Sequence, residues 1–192
     1  LLMKSNRYGD MEWQQSFGGS QMDIASHIEQ ASDGGFIISA TTESYGQGGK
    51  DIWLFKTSSS GLIEWNKYIG TPYDDYSGQV LETDDGGFIL IGSRGSSDQN
   101  DNDIWLIKTN SQGDSSWTRS YGGNQFDRGN DILADDQGGF ILLGSTESQG
   151  NGGKDIWLLK VDEMEMISGI ILTGTEATIL ANPWSALWMV GF

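Results

Sequence analysis

The chain has 192 residues, enough for one substantial domain or two small ones, and a hydrophobic fraction of 36% with 11% aromatic residues allows a packed core. A formal net charge of −16 argues against nucleic acid and anionic membrane surfaces as partners, because phosphate binding draws on clustered Lys and Arg. The absence of Cys excludes disulfides and thiolate metal sites, and 28 Gly against 2 Pro point to many tight turns.

From the N-terminus, "LLMK" lies 52 residues before "WLFK", and Trp13 lies 52 before Trp65, which lies 52 before Trp117. Phe36, Phe88 and Phe140 keep the same interval, as do Trp53, Trp105 and Trp157. An uninterrupted period of this length marks a repeat architecture. Residues 1–18 read as the second half of a unit, 19–70 and 71–122 as whole units, and 123–163 as a unit that stops short. "LLMKSNRYGD" reads as neither a signal peptide nor a convincing start.

In the unit 71–122 the predicted strands are "GQVLETD" (78–84), "FILIGS" (88–93), "DIWLIKT" (103–109) and "SWTRSYG" (116–122). Asp-Gly and Gly-Gly turns separate such short runs in all-β proteins. The middle two strands are apolar at nearly every residue, so both their faces must be covered. Four-stranded sheets stacked face to face meet that demand. The expected fold is an all-β, incomplete β-propeller of about three four-stranded blades plus a half-blade. A β-solenoid is the second choice, although its coils are usually shorter. In this scheme Trp53 wedges against the next sheet.

Residues 164–192 diverge: the Gly and Trp due at 165 and 169 are Glu165 and Gly169. The segment leans apolar, but Glu176 and Pro183 interrupt it, which makes a poor membrane span.

The Gly-x-x-x-Trp pairs Gly9 and Trp13, Gly61 and Trp65, and Gly113 and Trp117 resemble the third-to-fourth strand hairpin of quinoprotein-like propellers. Trp117 with Tyr121-Gly122-Gly123, then Asp127, "QGGFI", "GSTES" and "DIWLLK", resemble the β-propeller repeats of secreted or surface-attached bacterial and archaeal proteins. The second copy departs from that pattern at Ile69-Gly70-Thr71. The resemblance covers residues 1–163. It implies an extracellular or cell-surface location in a prokaryote and a binding or scaffolding role. The quinoprotein activity is not carried over, since only the Trp hairpin is shared.

Residues identical in every copy face the same local physics and are read as structural. The repeated Trp residues fill the space between sheets, and the pairs Gly34-Gly35, Gly86-Gly87 and Gly138-Gly139 supply positive φ for tight turns. Asp23, Asp75 and Asp127 cap amides in their own loops, or else form a carboxylate ring around a cation. Lys56, Lys108 and Lys160 pair with acidic neighbours at the surface, at little energetic gain.

Loops that change between copies fall on one face of a propeller, and loops on a rigid scaffold carry function. Ligand-binding candidates there are Tyr45, Tyr73, Tyr76, Phe126 and Arg128. Asp98, Asn100 and Asn102 fit the first three slots of a calcium loop, but Asp103 stands where Gly belongs and Thr109 where Glu belongs. No cofactor is expected, and calcium is the one cation to test for. No catalytic residue is assigned. His27 is the single His, with Gln79 and Asp131 at matching positions, and no nucleophile elbow, Walker loop or zinc cluster occurs.

The expectation is a non-enzymatic module that binds a protein or glycan. The alternative is the propeller of a polysaccharide-acting enzyme using loop carboxylates such as Asp74 and Asp75. Both ends fall inside a repeat, so the expected neighbours are the remaining blades of a larger chain or a second, self-associating copy.

Overall fold

The computed structural model describes residues 1–97, 101–136, 138–150 and 152–162, and the backbone of 167–173. These residues contain no helix. The strands are β1 (Leu2–Ser5), β2 (Met11–Gln15), β3 (Asp23–Gln30), β4 (Phe36–Thr42), β5 (Asp51–Thr57), β6 (Ile63–Ile69), β7 (Tyr76–Glu82), β8 (Phe88–Gly95), β9 (Asn102–Thr109), β10 (Ser115–Tyr121), β11 (Asp127–Ala134), β12 (Phe140–Thr146), β13 (Asp155–Val161) and β14 (Ile167–Thr173). They form one two-stranded sheet, β1-β2, and three four-stranded antiparallel sheets, β3-β4-β5-β6, β7-β8-β9-β10 and β11-β12-β13-β14. Each is a meander, and none closes on itself.

The repeat is visible in the pairing itself. Lys4 lies opposite Trp13, Lys56 opposite Trp65 and Lys108 opposite Trp117. Lys160 lies opposite Gly169 in the same register. The recognisable sequence pattern ends at Glu163, yet a fourth strand follows and completes the third sheet. "ISGIILT" is rich in β-branched residues, and an extended backbone can pair without the repeat's Trp.

The sheets pack face to face, and their strands alternate inward and outward as period two requires. Ile37, Ile52 and Leu54 on one face of the first full sheet meet Val80, Phe88, Leu90, Trp105 and Ile107 of the next. Ile89, Ile91, Ile104 and Leu106 leave the other face of that sheet to meet Ile132, Leu142, Trp157, Leu159 and Val161. This explains the unbroken apolar runs: β5 is buried along its whole length. The first strand of each sheet lies against the second strand of the sheet before it, so β7 packs on β4 and β11 on β8. Each first strand carries a bulge. At Gly78 an added methyl would lie 3.0 Å from the Asn130 carbonyl, so neighbouring first strands approach backbone to backbone.

Trp53 corrects one expectation. It packs with Ile38, Ala40 and Phe55 against Leu2 and Phe17, which belong to the preceding side of the stack. Trp105 likewise faces the preceding sheet. The Trp of each fourth strand is the residue that reaches forward. Trp13 donates its indole N–H to the Ser59 carbonyl at 3.1 Å and covers Gly61, where a methyl would come within 2.7 Å of the ring. Trp65 covers Gly113 in the same way.

In the β3–β4, β7–β8 and β11–β12 turns the first glycine has positive φ, 84° at Gly34 and 75° at Gly86. The second is glycine for a different reason: a methyl on Gly35 would lie 2.3 Å from the Thr57 carbonyl. Two of the strand-end lysines are more buried than expected. Lys56 is nearly buried between Asp33 and Glu64, at 2.5 Å from each, and Lys108 is largely buried against Asp85 at 2.9 Å. Asp33 and Asp85 lie in the Gly-Gly turn of the same sheet and Glu64 on β6, and all three acids are exposed, as surface pairing requires.

Candidate loop-face site

Loops 16–22, 43–50, 70–75 and 122–126, together with the described parts of 96–101 and 147–154, lie at the end of the sheets opposite the Gly-Gly turns. An Asp at the head of each first strand, half-buried at Asp23 and fully buried at Asp75 and Asp127, fixes them. Asp23 accepts the Gly19 N–H at 2.8 Å, the Ser44 hydroxyl at 2.8 Å and the Thr42 hydroxyl. Asp75 accepts the Thr71 N–H and hydroxyl and, on its other oxygen, the Gly95 N–H at 2.8 Å. Asp127 accepts the Gly123 N–H and the Ser148 hydroxyl, at 2.9 and 2.7 Å. Each carboxylate thus joins the loop before its strand to the loop after the second strand. Among the described residues, no three His, Asp or Glu side chains gather as a metal site. Asp98 and Asn100 lie outside the described residues. Asn102 is buried at the start of β9, where its amide reaches the Asp74 carbonyl at 3.5 Å.

Asp75 and Asp127 each meet a second carboxylate across the seam between sheets. A methyl on Gly70 would sit 1.7 Å from Asp51 Oδ1 and 3.1 Å from Asp75 Oδ2. One on Gly122 would sit 1.8 Å from Asp103 Oδ1 and 2.8 Å from Asp127 Oδ2. Asp51 and Asp75 are fully buried, and Asp51 Oδ1 accepts no hydrogen bond among the described residues. Burial raises the Asp51 carboxyl above the usual range, and the charges of Asp75 and Asp74 add to it. Burial also raises Asp75. Burial raises Asp103, helped by Asp101 and Asp127.

The five ligand-binding candidates fall at three successive seams. Tyr45, exposed, stacks on Tyr68 with ring centroids 4.9 Å apart and meets Trp53 edge-on at 5.8 Å. Its hydroxyl donates to the Gly18 carbonyl at 3.3 Å. Tyr68 is also exposed and was not among the candidates, because its place in β6 reads as the body of a strand. Tyr73 is exposed on the next loop, and Tyr76 holds Lys50 over its ring at 5.1 Å. Lys50 binds Asp74 at 3.1 Å and ties loop 43–50 to loop 70–75. Phe126 carries Lys154 over its ring at 5.2 Å, and Arg128 projects from β11 in the open. The structure therefore joins Tyr45 to Tyr68 and Tyr76 to Lys50, but does not gather all five candidates at one point.

Asp74 and Asp75 part company. Burial alone would raise Asp74, but the Lys50 amide and ammonium outweigh it and hold its carboxyl below the usual range. Asp75 turns inward with both oxygens occupied. His27 is half-buried on β3, away from these loops, and lines a groove beside β1.

Compared with models of known protein families and with curated proteins, the chain matches none. No helix among the described residues is long and apolar enough to cross a membrane. The fold itself defines a class: the described residues form an all-β chain of stacked, repeated antiparallel sheets.

Proposed function

We propose that the chain is part of a β-propeller belonging to a prokaryotic surface or secreted protein, and that it acts as a non-catalytic module binding a protein or glycan through its loop face. Four-stranded meanders stacked at a constant 52-residue interval support the propeller reading. The observation that carries the binding role is the exposed Tyr45–Tyr68 stack, backed by Trp53 and flanked by loops that Asp23 and Asp75 hold in place. Rigid aromatic surface of this kind offers contact area at low entropic cost.

The enzyme alternative has one point in its favour, the opposite pKa displacements of Asp74 and Asp75. Against it stands the occupation of both Asp75 oxygens by loop donors.

A soluble glycan panel with hydrolysis assays alongside tests the choice. Binding without turnover, weakened about tenfold or more by a Tyr45→Ala/Tyr68→Ala variant, is the expected result. Hydrolysis that Asp75→Asn or Asp127→Asn abolishes would overturn the proposal in favour of the enzyme.

A further inference from the structure

We propose that the two-stranded sheet β1-β2 is an acceptor for an antiparallel β-hairpin carrying this repeat's own first-and-second-strand pattern, which pairs with the open edge of β1 and fills the groove beside it. β5, β9 and β13 occupy the place of β1 in the later units, and each is paired along both edges. Among the described residues, β1 is paired only with β2. Beside its open edge lies a groove of about 370 Å³, with Leu2 and Phe17 on one wall and Ile24, Ile28, Ile38 and Trp53 on the other.

The later seams say what is missing from this groove. Ile28 is 44% exposed, whereas Val80 and Ile132, one and two repeat lengths further on, are both 0% exposed. Val80 is covered by Ile37 of the preceding second strand, together with Ile52 and Leu54. Leu2 stands where Leu54 stands, but no described residue stands where Ile37 does. The groove thus continues an interface that is complete twice in the same molecule, and that continuity specifies its occupant.

The register follows from the three complete sheets. Phe36, Phe88 and Phe140 lie opposite Thr57, Thr109 and Val161, and Ile37, Ile89 and Ile141 lie opposite the lysines that correspond to Lys4. An incoming second strand therefore places its leading Phe opposite Ser5 and its next residue, an Ile, opposite Lys4. Main-chain bonds along such an edge supply affinity, and the alternating side chains supply selectivity. A second copy of the chain is a poor source. Its hairpins β3–β4, β7–β8 and β11–β12 are already bonded to their own third strands.

The inference rests on the seam geometry and not on the loop-face reading, so either can fail without the other. A synthetic peptide of residues 75–95, spanning β7 and β8 with their turn, serves as the probe. Added to the whole chain, it is expected to slow backbone hydrogen exchange at Leu2–Ser5 by about tenfold or more, saturably. The same peptide with Ile89→Asp and Ile91→Asp is expected to do nothing. In the protein, Ile28→Lys is expected to weaken binding about tenfold or more, while Leu133→Lys, on the outer face of the last sheet, binds as the parent does. No added protection at about 1 mM peptide, or protection confined to 127–161, overturns the proposal. So does self-association that Ile28→Lys abolishes while the peptide has no effect, which would assign the groove to a second copy.

Discussion

A methyl group on Gly87 would lie 2.2 Å from the Thr109 carbonyl, while one on Gly86 meets nothing within 4 Å. Adjacent glycines in one turn therefore answer to different physics. Gly86 is required by its φ of 75°, and Gly87 by the carbonyl pressed against it. Gly86→Ala pays only for a left-handed backbone, about 1–2 kcal/mol. Gly87→Ala must push β9 away from the turn and is expected to cost about 2–3 kcal/mol. Gly86→Asn should recover most of the first loss, because Asn tolerates that backbone, whereas no residue rescues the second. Denaturant midpoints of the three variants check this ordering. The sequence marks both glycines as turn formers, which is right for the first only. A close carbonyl leaves no trace in local pattern.

Between elements, the carboxylate pairs Asp51–Asp75 and Asp103–Asp127 set a pH dependence. Asp51, Asp75 and Asp103 have carboxyls raised in the folded chain, chiefly by burial. A carboxyl whose folded pKa is raised costs stability when ionised, and that cost disappears as pH falls through the raised value. Asp33 and Asp85 have the opposite sign: hydrogen bonds from Lys56 and Lys108 hold them below the usual range, so their contribution is lost at lower pH still. Thermal stability is therefore expected to rise from pH 7 toward about pH 5, then fall below about pH 4. A melting temperature that drops monotonically from pH 7 downward contradicts this. Asp51→Asn keeps an oxygen for the Gln47 N–H and turns an amide toward Asp75. It should stabilise the fold on the order of 1 kcal/mol at pH 7 and by nothing measurable near pH 4. The strands themselves were legible from spacing and apolar runs. β7 begins two residues earlier than its pattern suggests, because its bulge at Ser77–Val80 breaks the alternation. Which neighbour Trp53 faces was not legible, since alternation separates two faces without saying what each one meets. The Tyr45–Tyr68 stack escaped for a similar reason: it joins a loop to a strand whose proximity only the folded sheet creates.

At the scale of the whole molecule, the exposed ends differ from the interior in a way the repeat makes quantitative. Ile156 is 55% exposed on the last sheet, while Ile52 and Ile104 at the same place are 0%. Repeat number and period were readable from Trp and Phe spacing. The strand at Ile167–Thr173 was not, because the Trp and Gly that mark the others are absent there and only its pairing identifies it.

The forward reach of the fourth-strand Trp gives the stack a polarity. Trp13 is received at Gly61 and Trp65 at Gly113, each 48 residues on, while Gly9, in the same position of the first unit, has nothing within 4 Å. A unit with both the Trp and the Gly thus has a donating side and a receiving side, like a link with one hook and one eye. The covalent period and the packing period are the same, so length can change only in whole units. Joining Ser60 to Gly113 removes 61–112 and offers Trp13 the same glycine floor it had before. That shortened chain is expected to melt in one cooperative transition, whereas removal of 61–102 leaves hook and eye out of step and should not fold.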